Sequence, residues 1–113
     1  MKSKIVSLSK NVEFLSLLNG KKTINKYSTI FYKKLKNKNY NYLNVSFVAK
    51  KKLGNAVIRN KIKRRLKNII NGIINEKKIN FDYCYLLLAK KNVFEDDFQK
   101  IKGILISDFK KIK

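Results

Sequence analysis

Hydrophobic residues recur at helical spacing in the middle and at the end of the chain. From Ala56 to about Asn75, an advance of about 100° per residue collects apolar side chains on one side and basic or amide side chains on the other. Phe94 to Lys111 repeats this pattern, with acidic residues at its start and lysines at its end, as the helix dipole favours. Both segments are predicted to be amphipathic helices. The predicted buried side of the first consists of Ile58, Ile62, Leu66, Ile69, Ile70 and Ile73.

Three stretches have the composition of β-strands. Tyr27 to Tyr32 and Tyr42 to Ala49 are rich in β-branched and aromatic residues, and the polar segment between them predicts a hairpin. Asp82 to Lys90 is nearly continuous in apolar side chains, which is typical of a central strand covered on both faces. These strands predict a small sheet with the amphipathic helices packed on it.

The N-terminal region predicts one further, shorter helix. Ser9 or Asn11 can cap this helix and Gly20 can end it. Phe14 and Leu18 are four residues apart and would lie on the same side. They could form an exposed apolar pair beside a groove, although the spacing alone favours packing on the sheet.

The chain carries a formal net charge of +21, which is concentrated in its centre. Between Glu13 and Glu76 there are thirteen lysines, three arginines and no acidic residue. Such self-repulsion favours a polyanionic partner, first a nucleic acid and second an anionic membrane surface. A hydrophobic content of 44% over 113 residues still predicts a single folded domain spanning residues 1–113, rather than a disordered basic tail.

Several classes of function are excluded by the residues that the chain lacks. It has no histidine, and its one cysteine, Cys84, lies in an apolar run that predicts a buried side chain. No disulfide and no Cys/His metal site can be assembled. Because the usual general base is missing, no protein-based nuclease site is predicted and no catalytic residue is assigned. No apolar stretch is long enough to span a membrane, so the expected location is the cytoplasm.

The arginines are confined to the predicted basic helix. Arg59, Arg64 and Arg65 lie within seven consecutive residues. A guanidinium binds phosphate bidentately, whereas lysine offers a point charge. Asn55 is a candidate N-cap, and Gly54 can take an unusual backbone angle before it. A solvated helix face would have a similar composition, so the surrounding residues decide between the two interpretations.

The residues from Lys51 to Arg65 resemble the signature of the bacterial ribonuclease P protein component. That signature reads Lys-Lys, an aliphatic residue, Gly, any residue, Ala-Val, any residue, Arg-Asn, two residues and Lys-Arg, and the chain matches it from Lys51 to Arg64. The segment Leu8 to Phe14 is similar to the opening helix of that family. The resemblance extends over nearly the whole chain.

The resemblance implies a fold and a function. The fold is a two-layer α/β sandwich in the order αβββαβα, with a left-handed crossover carrying the basic helix, where general rules predict a right-handed one. The function is that of the protein subunit of a ribozyme that removes the 5′ leader from precursor tRNA. The implied partners are the catalytic RNA and precursor tRNA. The RNA with its bound Mg²⁺ would perform the cleavage, and no cofactor is expected on the protein.

The resemblance also implies two sets of binding residues. The residues expected to contact the catalytic RNA are Lys51, Lys52, Gly54, Arg59, Asn60, Lys61, Lys63, Arg64, Arg65 and Lys67. The expected leader-binding cleft consists of Phe14, Leu18 and Tyr32. Leu18 stands where the family often has an aromatic residue, so apolar contact rather than stacking is expected there. Lys61 and Lys67 stand where arginine is common.

Three alternatives are compatible with parts of the sequence. A ribosomal or other structural RNA-binding protein would share the charge and the aromatic residues, but not the ordered pattern from Gly54 to Arg65. A DNA-binding module could place the basic helix in a major groove, but no short helix precedes it as in a helix-turn-helix. A peripheral membrane protein would need bulky apolar residues at the lipid boundary, and the isoleucines of this helix are better explained by a sheet partner.

Overall fold

A computed structural model describes residues 5–6, 17–34, 43–80 and 82–112 of the chain. These residues form one mixed sheet with helices packed on it. The strands are β1 Ile5–Val6, β2 Lys21–Ile24, β3 Ser28–Lys34, β4 Leu43–Val48 and β5 Tyr83–Ala89. The helices are α1 Ala56–Asn75, α2 Asn92–Glu95 and α3 Phe98–Lys111, and a 3-10 turn at Lys51–Leu53 precedes α1.

The strands lie in the order β1-β4-β5-β3-β2. β1, β4 and β5 run parallel, whereas β3 is antiparallel to both β5 and β2. α1 therefore lies in the crossover between the parallel strands β4 and β5, as the resemblance implied. The left-handed sense of this crossover stays a prediction.

The predicted hairpin between residues 27–32 and 42–49 is wrong. β3 and β4 do not pair with each other, because β5 lies between them and pairs with both. The prediction that β5 is the central strand is confirmed. Its side chains are apolar on both faces, so it loses most contact with water at the centre of the sheet.

β3 forms its hairpin with β2, a strand that the hydrophobic pattern did not predict. Three of the four residues of Lys21–Ile24 are exposed, so this edge strand has no alternation of buried and exposed positions. The turn is organised by Asn25, whose Oδ1 accepts hydrogen bonds from the backbone N–H of Tyr27 (2.7 Å) and Ser28 (2.8 Å). Asn25 Nδ2 also donates to Asp108 Oδ2 on α3 (2.7 Å), which ties the hairpin to the last helix.

Side chains along β5 alternate between two apolar clusters, as expected for a strand. Tyr85 and Leu87 face the main core, whereas Cys84 and Leu86 join Leu17 in a smaller cluster on the other face. Cys84 is buried as predicted. The main core between the sheet, α1 and α3 includes Ile30, Leu43, Val45, Ile62, Leu66, Ile69, Ile73, Ile101, Leu105 and Phe109.

The last long helix begins at Phe98, so its predicted start at Phe94 is wrong. The short helix α2 ends before Asp96, and both Asp96 and Asp97 have extended backbone with ψ of 165° and 137°. The hydroxyl of Tyr27 donates a hydrogen bond to Asp96 Oδ2 (2.7 Å). This long-range bond holds Asp96 outside a helix that sequence periodicity alone predicted to be continuous.

Replacing Asn55 by Ala should lower the free energy of unfolding by about 1 kcal/mol. Asn55 Oδ1 accepts a hydrogen bond from the backbone N–H of Ile58 (3.0 Å), which confirms the predicted N-cap of α1. Urea unfolding of the free protein measures the change. Asn55→Ser is the matched control, since it keeps a capping oxygen and should retain most of the stability. Equal losses in both variants would contradict a capping role.

Candidate RNA-binding surface

The backbone before α1 requires glycine at position 54. Gly54 has φ of 146° and ψ of −170°, and a Cβ added there would lie 3.1 Å from the side chain of Ile58. The 3-10 turn before it leaves the side chains of Lys51 and Lys52 exposed. Two lysines therefore lie just before the N-terminal end of α1, where the helix dipole also attracts anions.

α1 spans the predicted residues and buries the predicted side. Ile58 is half-buried against the core. The fully buried side chains of this helix are Ile62, Leu66, Ile69, Ile70 and Ile73. The exposed polar side chains that were assigned to RNA binding are Asn60, Lys61, Arg64 and Lys67. The half-buried ones are Arg59, Lys63 and Arg65. The helix therefore has one apolar and one basic side, and we call the exposed and half-buried polar residues named here the basic side of α1.

The basic side of α1 is not neutralised by carboxylates within the described part of the chain. The ion pairs of the described residues join Lys26 to Asp96, and Lys78 and Lys102 to Glu76. None of them involves a lysine or arginine of α1. The positive charge of this helix is therefore available to a polyanion outside the protein.

Arg65 differs from the other basic residues of α1, since one of its Nη atoms donates a hydrogen bond to the backbone carbonyl of Asp96. Its Nε atom, like that of Arg59, is buried without a hydrogen-bond partner among the described residues. Arg64 is exposed, and none of the hydrogen bonds or ion pairs found among the described residues involves its side chain. Of the three arginines, Arg64 is thus the one whose guanidinium is most open to an RNA phosphate.

The position of Asp96 is determined by contacts with the β2–β3 turn. Its carboxylate accepts a hydrogen bond from Tyr27 and lies 3.3 Å from Lys26 Nζ. The hydrogen bond from Tyr27, followed by the contact with Lys26, lowers the pKa of the Asp96 carboxyl, and the same hydrogen bond raises the pKa of Tyr27. Since Asp96 is held in this way, its carbonyl can fix the direction in which the Arg65 side chain extends from α1.

The residues predicted to form the leader-binding cleft occupy different environments. Phe14 lies outside the described residues. Leu18 is 43% exposed. Tyr32 is half-buried, packs against the main core and meets the ring of Tyr83 edge to face, with ring centroids 6.0 Å apart. Tyr32 also lines a surface groove with Asn19, Gly20, Lys21, Lys33, Lys34, Tyr83 and Lys111.

Phe31 is a buried aromatic residue of β3. It lies in the smaller apolar cluster with Leu17, on the face of the sheet opposite α1, whereas its neighbour Tyr32 packs against the main core. In the run from Ile30 to Tyr32 every residue is large and apolar or aromatic, so composition does not reveal which ring faces which side. Only the strand register separates them.

Neither a membrane span nor a metal cluster is found among the described residues. No helix in the described ranges is both long and apolar enough to cross a lipid bilayer. In residues 5–6, 17–34, 43–80 and 82–112, no group of three or more acidic or sulfur-bearing side chains is placed to hold a metal ion.

The match with known proteins covers almost the entire chain. A family model described as Ribonuclease P matches residues 2–113. The chain belongs to the ribonuclease P protein family. Members of this family are subunits of the ribonuclease P endoribonuclease and act in the 5′ processing of tRNA. This assignment confirms the resemblance seen in the Lys51 to Arg65 segment and decides against the ribosomal and other structural RNA-binding alternatives.

Relatives of similar length support the same family. The chain is 37% identical to the ribonuclease P protein component of Mycoplasma capricolum subsp. capricolum over 114 aligned positions, which cover 100% of both chains. It is 38% identical to the ribonuclease P protein component of Fusobacterium nucleatum subsp. nucleatum over 97 positions, covering 85% of this chain and 82% of the relative.

The fold agrees with a solved member of the ribonuclease P family. The ribonuclease P protein from Thermotoga maritima superimposes with a TM-score of 0.79 at 25% identity, and the alignment covers 96% of this chain and 98% of the other. The expected α+β fold is therefore confirmed.

Proposed function

We propose that the chain is a single RNA-binding domain whose basic side of α1, together with Lys51, Lys52 and Gly54, contacts the catalytic RNA of ribonuclease P. The observation that carries this proposal is that no described carboxylate forms an ion pair with these cations, on a helix whose other side packs in the main core. Lysine and arginine bind RNA phosphates by releasing counterions, and an exposed helix presents them in a rigid row.

The 5′ leader of precursor tRNA is the second proposed partner. Phe14, Leu18 and Tyr32 are the residues proposed to contact it. The exposure of Leu18 and the position of Tyr32 in a groove with several lysines support this assignment. Aromatic rings and lysines together suit a single strand, because bases stack on the rings while phosphates follow the positive charge.

The chemistry is proposed to belong to the RNA. The chain has no histidine to act as a general base. We assign Mg²⁺ in the holoenzyme to the RNA and no catalytic residue to the protein. The protein then contributes charge neutralisation, which allows two RNA molecules to approach each other. We place this activity in the cytoplasm.

Reconstitution with the ribonuclease P RNA of the same organism tests the proposal. The protein alone should not cleave precursor tRNA. Protein and RNA together should release the 5′ leader at a lower Mg²⁺ concentration than the RNA alone requires, since the protein replaces part of the counterion charge. Cleavage by rigorously RNA-free protein, or no change in the magnesium requirement, would defeat the proposal.

Phe14→Ala should weaken binding of precursor tRNA to the holoenzyme by about tenfold, the loss expected for one stacked base. Binding of mature tRNA should be nearly unchanged, because it lacks the leader. Comparing the affinities of both substrates for wild-type and variant holoenzymes measures the effect. An equal loss with both substrates would mean that Phe14 is a core residue or contacts another part of the RNA.

A further inference from the structure

A second groove lies between α1 and the α2–α3 junction. All of its lining residues are described by the structure. They are Lys61, Arg64, Arg65, Asn68, Phe94 and Phe98. The groove thus combines three cations, one amide and two aromatic rings, and neither Phe94 nor Phe98 belongs to the residues that resemble the family signature.

The two rings of this groove differ in burial. Phe98 is half-buried and packs against the main core. Phe94 is 40% exposed, although its neighbour Val93 is completely buried and anchors α2. The ring of Phe94 is therefore not needed to fill the core, and much of its apolar surface faces water. An exposed ring beside cations is the arrangement in which a nucleobase can stack while its phosphate is bound.

The charges around the groove favour an anionic occupant. Lys61, Arg64 and Asn68 are exposed. None of the ion pairs found among the described residues involves Lys61 or Arg64. The nearby Asp96 carboxylate is already bound by Tyr27 and Lys26. The cations of the groove can therefore act on a phosphate, while the amide of Asn68 can both donate and accept hydrogen bonds at a base edge.

We propose that this groove binds an unpaired nucleotide of the catalytic RNA, with its base stacked on Phe94 and its phosphate bound by Arg64 and Lys61, an inference that rests on the RNA-binding function proposed above. The nucleotide must be unpaired, because the faces of a paired base are covered by its neighbours in the helix. The catalytic RNA is favoured over the leader because Lys61, Arg64 and Arg65 of this groove belong to the basic side of α1, and because this groove shares no lining residue with the one that contains Tyr32.

Two substitutions at position 94 separate stacking from simple apolar contact. Phe94→Leu keeps an apolar side chain without a ring and should weaken assembly with the ribonuclease P RNA about tenfold. Phe94→Tyr keeps the ring and should retain most of the affinity. The slope of log affinity against log salt should be unchanged in Phe94→Leu, because no charge is removed. Ile104→Ala is the control, since Ile104 is another exposed apolar residue (41%) and lies on α3.

Photo-crosslinking identifies the occupant. A benzophenone amino acid at position 94 should crosslink to an unpaired nucleotide of the catalytic RNA in the assembled holoenzyme. A crosslink to the leader, or to no RNA, would overturn the proposal, as would equal affinities of Phe94→Leu and wild type. Melting temperatures of all variants exclude unfolding as the cause of a loss. If the wild-type holoenzyme cleaves precursor tRNA but the position-94 variants and the crosslink do not behave as expected, only the proposal for this groove is wrong. If the wild-type chain does not assemble with that RNA, both proposals are wrong.

Discussion

Leu66→Ala should lower the free energy of unfolding by about 2–5 kcal/mol, the usual cost of a Leu→Ala cavity in a packed core. Leu66 is 0% exposed and lies in the main core between α1 and the sheet. Surrounding side chains can relax only partly into the space that is left, so lost contacts add to the lost burial. Urea unfolding of the free protein measures the change.

Lys67→Ala is the matched control for Leu66→Ala. Lys67 is the next residue of α1, but its side chain is exposed. Removing one cation from a chain with a net charge of +21 reduces self-repulsion, so stability should be unchanged or slightly higher. If both substitutions destabilise the protein similarly, the buried and basic sides of α1 have been assigned incorrectly.

Arg64→Ala should weaken assembly with the catalytic RNA by about ten- to a hundredfold, which corresponds to ~1.5–3 kcal/mol for a charged hydrogen bond. Arg64 is exposed, and none of the ion pairs found among the described residues involves its guanidinium. The melting temperature of the free protein should stay the same or rise, because the side chain fills no part of the core and its charge is repelled by its neighbours.

A salt titration tests whether Arg64 binds phosphate. In the variant, the slope of log affinity against log salt should fall by about 1 in magnitude. Lys110→Ala removes the same charge from an exposed position on α3 and serves as the control, with little expected change in slope. Parallel lines for wild type and Arg64→Ala would show that Arg64 makes no phosphate contact. A large fall in melting temperature would show that it belongs to the buried side.

Local features of the sequence were sufficient to predict α1. The N-cap depends on a hydrogen bond between Asn55 and Ile58, three residues apart. The buried side depends on isoleucines that recur every three or four residues, up to the end of the helix at Asn75. The outward position of Arg64 follows from the same periodicity. The order of residues from Lys51 to Arg65 indicated the family through its resemblance to a known signature, and the family model confirms it.

The strand neighbours could not be predicted in the same way. The apolar run of β5 predicted its central place, but not which strands would pair with it. The hairpin predicted between β3 and β4 assumed that strands close in sequence pair with each other. Instead, β5 lies between them, although it is far along the chain. Only this central position buries both of its apolar faces and pairs the backbone groups along both of its edges.

The sequence by itself determined the basic helix, its buried side and the central strand, because these depend on periodicity within one segment. The tertiary structure decided which basic residues stay free and which aromatic residues face water. Tyr27 reaches Asp96 across 69 residues, at the break between α2 and α3, and helps to place the carbonyl that accepts a hydrogen bond from Arg65. Such hydrogen bonds join segments that have no pattern in common, so they form only when the whole sheet brings those segments together.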